Sequence, residues 1–204
     1  PQMVLLADAT PVYIEAGIEQ DFKITPAQLE AAITPATRAI ILCSPSNPTG
    51  SVYTQEELEG LAEVLRRHER VVVISDEIYE KIIYNKKHYS AGKYSDNVIT
   101  LNGFSKTYAM TGLRIGYLNA NETYNEELLK IHQYNNACAS TTSQRGAYEA
   151  LTGPQNEVER MIKEIQRRRD LIVSRLNQMG YETVNAEGAF YVFVDVNEVL
   201  NKEY

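Results

Sequence analysis

Cysteine is scarce in this chain: Cys43 and Cys138 are the only two. Two such residues give neither a disulfide framework nor a ligand cluster, so a reducing cytoplasm is the simplest setting. Long apolar runs are lacking as well. The longest, at 39–43 and 71–74, are far too short to span a bilayer. No basic stretch precedes the short apolar run at 1–9, so no signal peptide is read there. No internal repeat, low-complexity tract or block of like charge occurs, which argues against a solenoid or a disordered arm. Neither a Gly-x-Gly-x-x-Gly nor a Walker loop is found, which removes nicotinamide and nucleotide readings. His68, His88 and His132 show no metal spacing and no partner nucleophile, so they read as structural.

What is present is an ordinary globular composition, 44% apolar and 23% charged. Against 27 acidic residues stand 20 Lys and Arg, a net charge of −7 that disfavours nucleic acid or an anionic membrane as the main partner. The 204 residues suffice for one core, or for one domain and part of another. The chain opens at Pro1 without a start methionine and stops at Tyr204 soon after a strand-like run, so it is expected to be a fragment of a longer polypeptide.

Residues 38–43 read as a short buried strand ending in a Pro- and Asn-rich turn at 44–50. Thr54 and Glu57 form a capping box ahead of Leu58, Leu61, Ala62 and Leu65, which predicts a helix to about Glu69. Residues 71–74 are β-branched throughout, suiting a parallel strand buried on both faces, and 96–101 repeat the pattern. Strand, helix, strand, loop, strand predicts a doubly wound α/β layer. Helices are expected at 122–133 and 142–151. A long one at 154–179 is closed by Gly180 and carries a basic run at 167–169 that reads as a solvated or inter-subunit face. Residues 190–196 read as a further strand.

Ligands of an open α/β sheet gather beyond the carboxyl ends of its strands. Asn47 follows the first strand, Asp76 and Tyr79 the second, and Ser105, Lys106 and Arg114 the third. If the strands are neighbours, an amide, a carboxylate, a phenol, an amine and a guanidinium converge on one crevice. That set suits a flat, phosphorylated heteroaromatic ring.

The motifs Ser-Asn-Pro-Thr-Gly at 46–50, Asp-Glu-Ile-Tyr at 76–79, Gly-Phe-Ser-Lys-Thr-Tyr-Ala-Met-Thr-Gly-Leu-Arg-Ile-Gly-Tyr at 103–117 and Gly-Ala-Phe-Tyr-Val-Phe at 188–193 follow in this order. Together they resemble the class I/II aminotransferases, pyridoxal-phosphate (PLP) enzymes of the aspartate-aminotransferase fold. The resemblance covers nearly the whole chain. It implies a three-layer, doubly wound, mostly parallel α/β sheet as a PLP-binding large domain, followed by the start of a smaller α+β domain. On that pattern, 1–153 belong to the large domain, 154–179 to an interdomain helix, and 180–204 to the small domain.

The resemblance also assigns roles. Lys106 is implied to hold the cofactor as a Schiff base and then to carry the Cα proton, which requires a lowered amine pKa. Asp76 is implied to face the pyridine nitrogen. Tyr79 and Asn47 are implied to approach the phenolic oxygen from two sides, with a cis peptide at Asn47–Pro48. Arg114 is implied to bind the phosphate with its planar fork. Ser105 either adds a hydroxyl to that phosphate or is a plain turn serine. Gly103 stands where one branch of the family carries a hydroxyl. On the same pattern, the phosphate-cradling loop upstream and the substrate-carboxylate arginine downstream would lie outside residues 1–204. The chain by itself is therefore expected to bind PLP weakly or not at all, and not to transaminate.

The implied activity moves an amino group between an amino acid of aspartate, alanine or aromatic type and a 2-oxo acid, in a cytoplasmic homodimer, with no metal. A carbon–sulfur lyase or synthase on the same scaffold shares every residue named. A non-catalytic PLP-sensing domain is the third reading, and it requires a DNA-binding module.

Overall fold

Short β-branched and aliphatic runs build the sheet, as extended, buried segments favour. The computed structural model describes residues 1–196. In it β1 (Ala39–Cys43), β2 (Val72–Asp76) and β3 (Val98–Gly103) pair in parallel. β4 (Gly116–Asn119) adds antiparallel to β3, so the order is β1-β2-β3-β4. The α/β class and the mostly parallel sheet agree with the sequence. Both inner strands run two residues beyond the β-branched runs, to Asp76 and Gly103. The reversal into β4 departs from the expected run of parallel strands.

Two short helices precede the main crossover: α1 (Gln2–Leu6), and α2 (Pro26–Ala32), whose N-cap Thr25 forms a capping box with Gln28. α3 (Gln55–Arg66) starts at Thr54, which accepts the Glu57 N–H while the Glu57 carboxylate accepts the Thr54 N–H, as the sequence predicts. Its apolar stripe, Leu58, Leu61, Val64 and Leu65, packs on Val71, Val73 and Val98 to make the main core. In β2 only Val73 and Ser75 are fully buried, while Val72, Ile74 and Asp76 are half-buried. The expected burial on both faces is therefore replaced by alternation, with the core gathered on the α3 side.

α4 (Glu122–Asn135) and α5 (Thr141–Thr152) follow β4, and α6 (Asn156–Gln178) is the long helix. Gly180, at φ 88°, ends it while Tyr181 N–H reaches back to Leu176 O. Ile162 and Ile165 of α6 pack on a second core of Tyr79, Ile82, Tyr84 and Ala189.

Two expectations need correction. Residues 190–196 form no regular strand. Ala189 turns the chain at φ 57°, Phe190 and Tyr191 lay their rings against Tyr79, and among the described residues the segment pairs through one bridge, between Thr183 and Val194. The basic run is not uniformly solvated either. Arg167 and Arg168 are exposed on Glu164, but Arg169 is buried, donating to Asn185 and Ala186 and lying 4.7 Å over the Tyr84 ring. Residues 197–204 of the expected small domain lie outside the described residues.

Candidate active site

Strand register gathers the site. Parallel pairing sets Cys43 opposite Asp76, and Asp76 opposite Leu101, so the carboxyl ends of β1, β2 and β3 finish together. The Asp76 carboxylate caps the turn that follows it, accepting the Ile78 N–H at 3.2 Å. That turn carries Tyr79, whose ring is almost fully buried. Lys106 sits in a tight turn after β3, wrapped by Tyr108 N–H on Phe104 O and Ala109 N–H on Lys106 O. Its Nζ lies 5.8 Å from the Tyr79 ring centre and 5.7 Å from that of Phe190. The amine therefore lies beside the turn that follows β2.

Two glycines make the Lys106 and Arg114 loops neighbours. Gly103 pairs with Gly116 across β3 and β4, and a Cβ on Gly103 would stand 3.0 Å from the Gly116 Cα. Arg114 precedes that pair on β4. Its guanidinium donates to Thr111 O at 2.9 Å, its backbone is left-handed at φ 47°, and its side chain is exposed. Register, not a side-chain contact, ties it to the others. Ser105 is half-buried beside Lys106. Asn47 is exposed, and the peptide between it and Pro48 is cis, as expected; Ser44–Pro45 is cis as well.

Electrostatics link the same groups. Burial pushes the Cys43 thiol up, the Asn47 backbone N–H opposes this, and the Asp76 carboxylate adds to it. Tyr79 is held well above the usual phenol range, first by burial, with the nearby Cys43 and Asp76 contributing. Asn47, Cys43, Asp76, Tyr79 and Lys106 thus share one locality.

Three residues here were not singled out from the sequence. The Tyr191 hydroxyl is 2.6 Å from that of Tyr79, and the Phe190 ring meets the Tyr79 ring edge-on at 5.3 Å. Glu77 is 2% exposed and accepts from Ser75 Oγ, Ser90 Oγ and the Ala91 N–H, with His88 Nε2 at 2.8 Å. Only its place beside Asp76 could have drawn attention to it.

The sequence model of the family described as aminotransferase class I and II matches residues 1–204. The chain belongs to this family. A probable aspartate aminotransferase of Methanocaldococcus jannaschii is 48% identical over 187 residues, covering 89% of this chain and 49% of the relative. The aromatic aminotransferase of Pyrococcus horikoshii is a solved structure 42% identical, with a TM-score of 0.89, over 94% of this chain and 52% of that one. A double mutant of Thermus thermophilus aspartate aminotransferase superposes with a TM-score of 0.93 at 36% identity, over 98% of this chain and 53% of that one. The chain spans about half the length of these relatives. Among the described residues, no helix of this aminotransferase-family chain is long and apolar enough to cross a membrane.

The donor set fits the cofactor of the resemblance. A planar pyridinium phosphate needs an amine for its aldehyde, an acid for its ring nitrogen, a hydroxyl for its phenolic oxygen and a cation for its phosphate. Lys106, Asp76, Tyr79 and Arg114 are of those types, all near one end of the sheet.

Proposed function

We propose that the protein carrying this chain is a PLP-dependent aminotransferase that moves an amino group between an amino acid of aspartate, alanine or aromatic type and a 2-oxo acid. The observation that carries the reading is the grouping of the Lys106 amine, the Tyr79 phenol and the Asp76 carboxylate at the ends of β2 and β3. When bound, PLP supplies an electron sink for the negative charge left on the substrate Cα.

Each residue then has one task. Lys106 Nζ would hold the cofactor, and as a free amine it would be the base that takes the proton from the substrate Cα onto Nζ. The Asp76 carboxylate keeps the ring nitrogen protonated. Tyr79 offers its hydroxyl to the phenolic oxygen, and Asn47 offers an amide to the same atom. Arg114 grips the phosphate, with Ser105 adding a hydroxyl. Residues 1–153 supply the large domain, 154–179 the connecting helix, and 180 onward the start of the small domain. The working form is a cytoplasmic homodimer whose partners are the amino acid and the 2-oxo acid.

The test uses the full-length protein loaded with PLP and mixed with single amino acids. A visible-spectrum change on adding aspartate or an aromatic amino acid, reversed by the matching 2-oxo acid and lost in Lys106→Ala, is the expected result. Release of thiol or pyruvate in its place would make the protein a lyase. No spectral response to any amino acid would leave a binding domain.

A further inference from the structure

The segment 186–191 is fastened to the site at several points. Gly50 O accepts from both Glu187 N–H and Gly188 N–H at 2.9 Å, Ile82 O accepts from Ala189 N–H at 2.9 Å, and Glu187 O accepts from Tyr84 N–H at 2.8 Å. The Tyr84 hydroxyl donates to Ala189 O, and Lys86 pairs with the Glu187 carboxylate at 2.5 Å. A Cβ on Gly188 would sit 2.7 Å from Pro45 Cβ, so this strap lies flat on the 44–50 turn. The fastening delivers Tyr191 to Tyr79, hydroxyl to hydroxyl at 2.6 Å, with the rings edge-on at 5.8 Å.

Two hydroxyls at that distance share one hydrogen, so one donates and the other keeps its own hydrogen for a third group. Tyr79 is buried beside the Lys106 amine, on the side where the cofactor's phenolic oxygen wants a donor, while Tyr191 is half-buried on the strap side. We propose that Tyr191 is a positioning residue for the cofactor chemistry: its hydroxyl donates to the Tyr79 oxygen, which leaves the Tyr79 O–H free for the cofactor's phenolic oxygen. The proposal rests on the PLP reading given above. Hydrogen bonds in series polarise one another, so Tyr191 makes Tyr79 the stronger donor.

A donor on the phenolic oxygen draws electron density from the conjugated nitrogen bound to Lys106, which then holds its proton less tightly. Removing the Tyr191 hydroxyl weakens that donor and makes the nitrogen more basic. The measurement is the pH midpoint at which the visible band of the PLP-loaded, full-length protein interconverts.

In Tyr191→Phe this midpoint is expected to move up by about half a unit, on the scale of one neutral hydrogen bond. Tyr191→Leu also removes the hydroxyl and is expected to shift the same way, which keeps the test open if one variant folds poorly. In a Tyr79→Phe background, Tyr191→Phe is expected to add nothing, because its effect passes through the Tyr79 oxygen. A role in packing alone would lower the melting temperature and leave the midpoint where it is. An unmoved midpoint in both single variants overturns the proposal by itself. Failure of the unsubstituted protein to show a Lys106-dependent band overturns the PLP reading and the proposal together.

Discussion

The Glu77 carboxylate and the His88 imidazole meet at 2.8 Å in the interior, immediately behind the strand end that carries Asp76. The loop at 88–91 is thereby stitched to β2, since Ser90 and Ala91 donate to the same carboxylate. Burial alone would raise the Glu77 pKa, but the bonds from His88, Ser75 and Ala91 outweigh it and hold the group below the usual carboxylate value.

The sign of the pH effect follows. A folded-state pKa below the unfolded one means that the unfolded chain takes up the proton first. The stabilisation from Glu77 is therefore complete above the ordinary glutamate value, about 4.3, and is lost as pH falls through the lower folded value. Melting temperatures of the unsubstituted protein should drop on acidification below about pH 5 more steeply than those of Glu77→Gln. At neutral pH the same substitution should cost about 3 kcal/mol, as expected for breaking a buried charged network from one side. Parallel slopes for the two proteins would contradict the assignment.

Close approach of β3 and β4 yields a second prediction. Gly116→Ala would place a Cβ 2.9 Å from Asn102 O, a backbone atom that cannot swing away. Strand separation must then increase, at a cost of about 1–3 kcal/mol. Gly112→Ala, which meets nothing within 4 Å, serves as the control and should leave the melting temperature nearly unchanged. In the PLP-loaded full-length protein, the strand shift should also weaken cofactor binding, because the Lys106 and Arg114 loops leave from this pair.

How much of this was legible beforehand depends on how far apart the partners lie in the chain. The Thr54–Glu57 capping box is local, and its bonds stand where the spacing puts them. The three parallel strands announce themselves through β-branched runs, but their last residues do not, because Asp76 and Gly103 join the ladder through backbone alone. Residues 190–196 look like a strand, yet the partners that decide their path, Tyr79 and Ile82, lie more than a hundred residues upstream. Glu77 reads as an ordinary acid until the fold brings His88 and Ser90 to it. Of the candidate site, the residue types were legible and their common end of the sheet followed from strand order. The Tyr79–Tyr191 contact was not.

Arg169 shows the same gap and is testable. Its guanidinium donates to Asn185 Oδ1 at 3.1 Å and to Ala186 O, while its plane covers the Tyr84 ring. Lysine lacks the fork and the flat face. Arg169→Lys should destabilise by about 1–3 kcal/mol, the scale of charged hydrogen bonds lost in a buried site, whereas Arg168→Lys, on an exposed pair with Glu164, should change stability by under about 0.5 kcal/mol. Chemical denaturation of the three proteins checks both figures.

Arg114 carries the last prediction, since its assignment as the phosphate ligand rests on the resemblance and on its place beside the Gly103–Gly116 pair. An exposed guanidinium held, among the described residues, by Thr111 O can be turned to a ligand without breaking a buried network. Two parallel charge-assisted bonds to a phosphate oxygen pair are worth about 1.5–3 kcal/mol, or roughly 10–100-fold in affinity. Arg114→Ala in the full-length protein should raise the PLP dissociation constant by that factor, read by fluorescence titration. Arg114→Lys should recover only part of it, because an ammonium cannot grip two oxygens in one plane. The melting temperature of the cofactor-free protein should stay nearly constant in both, since no buried contact is lost. An unchanged dissociation constant in Arg114→Ala would move the phosphate to other donors and leave Arg114 as a turn residue in a left-handed backbone.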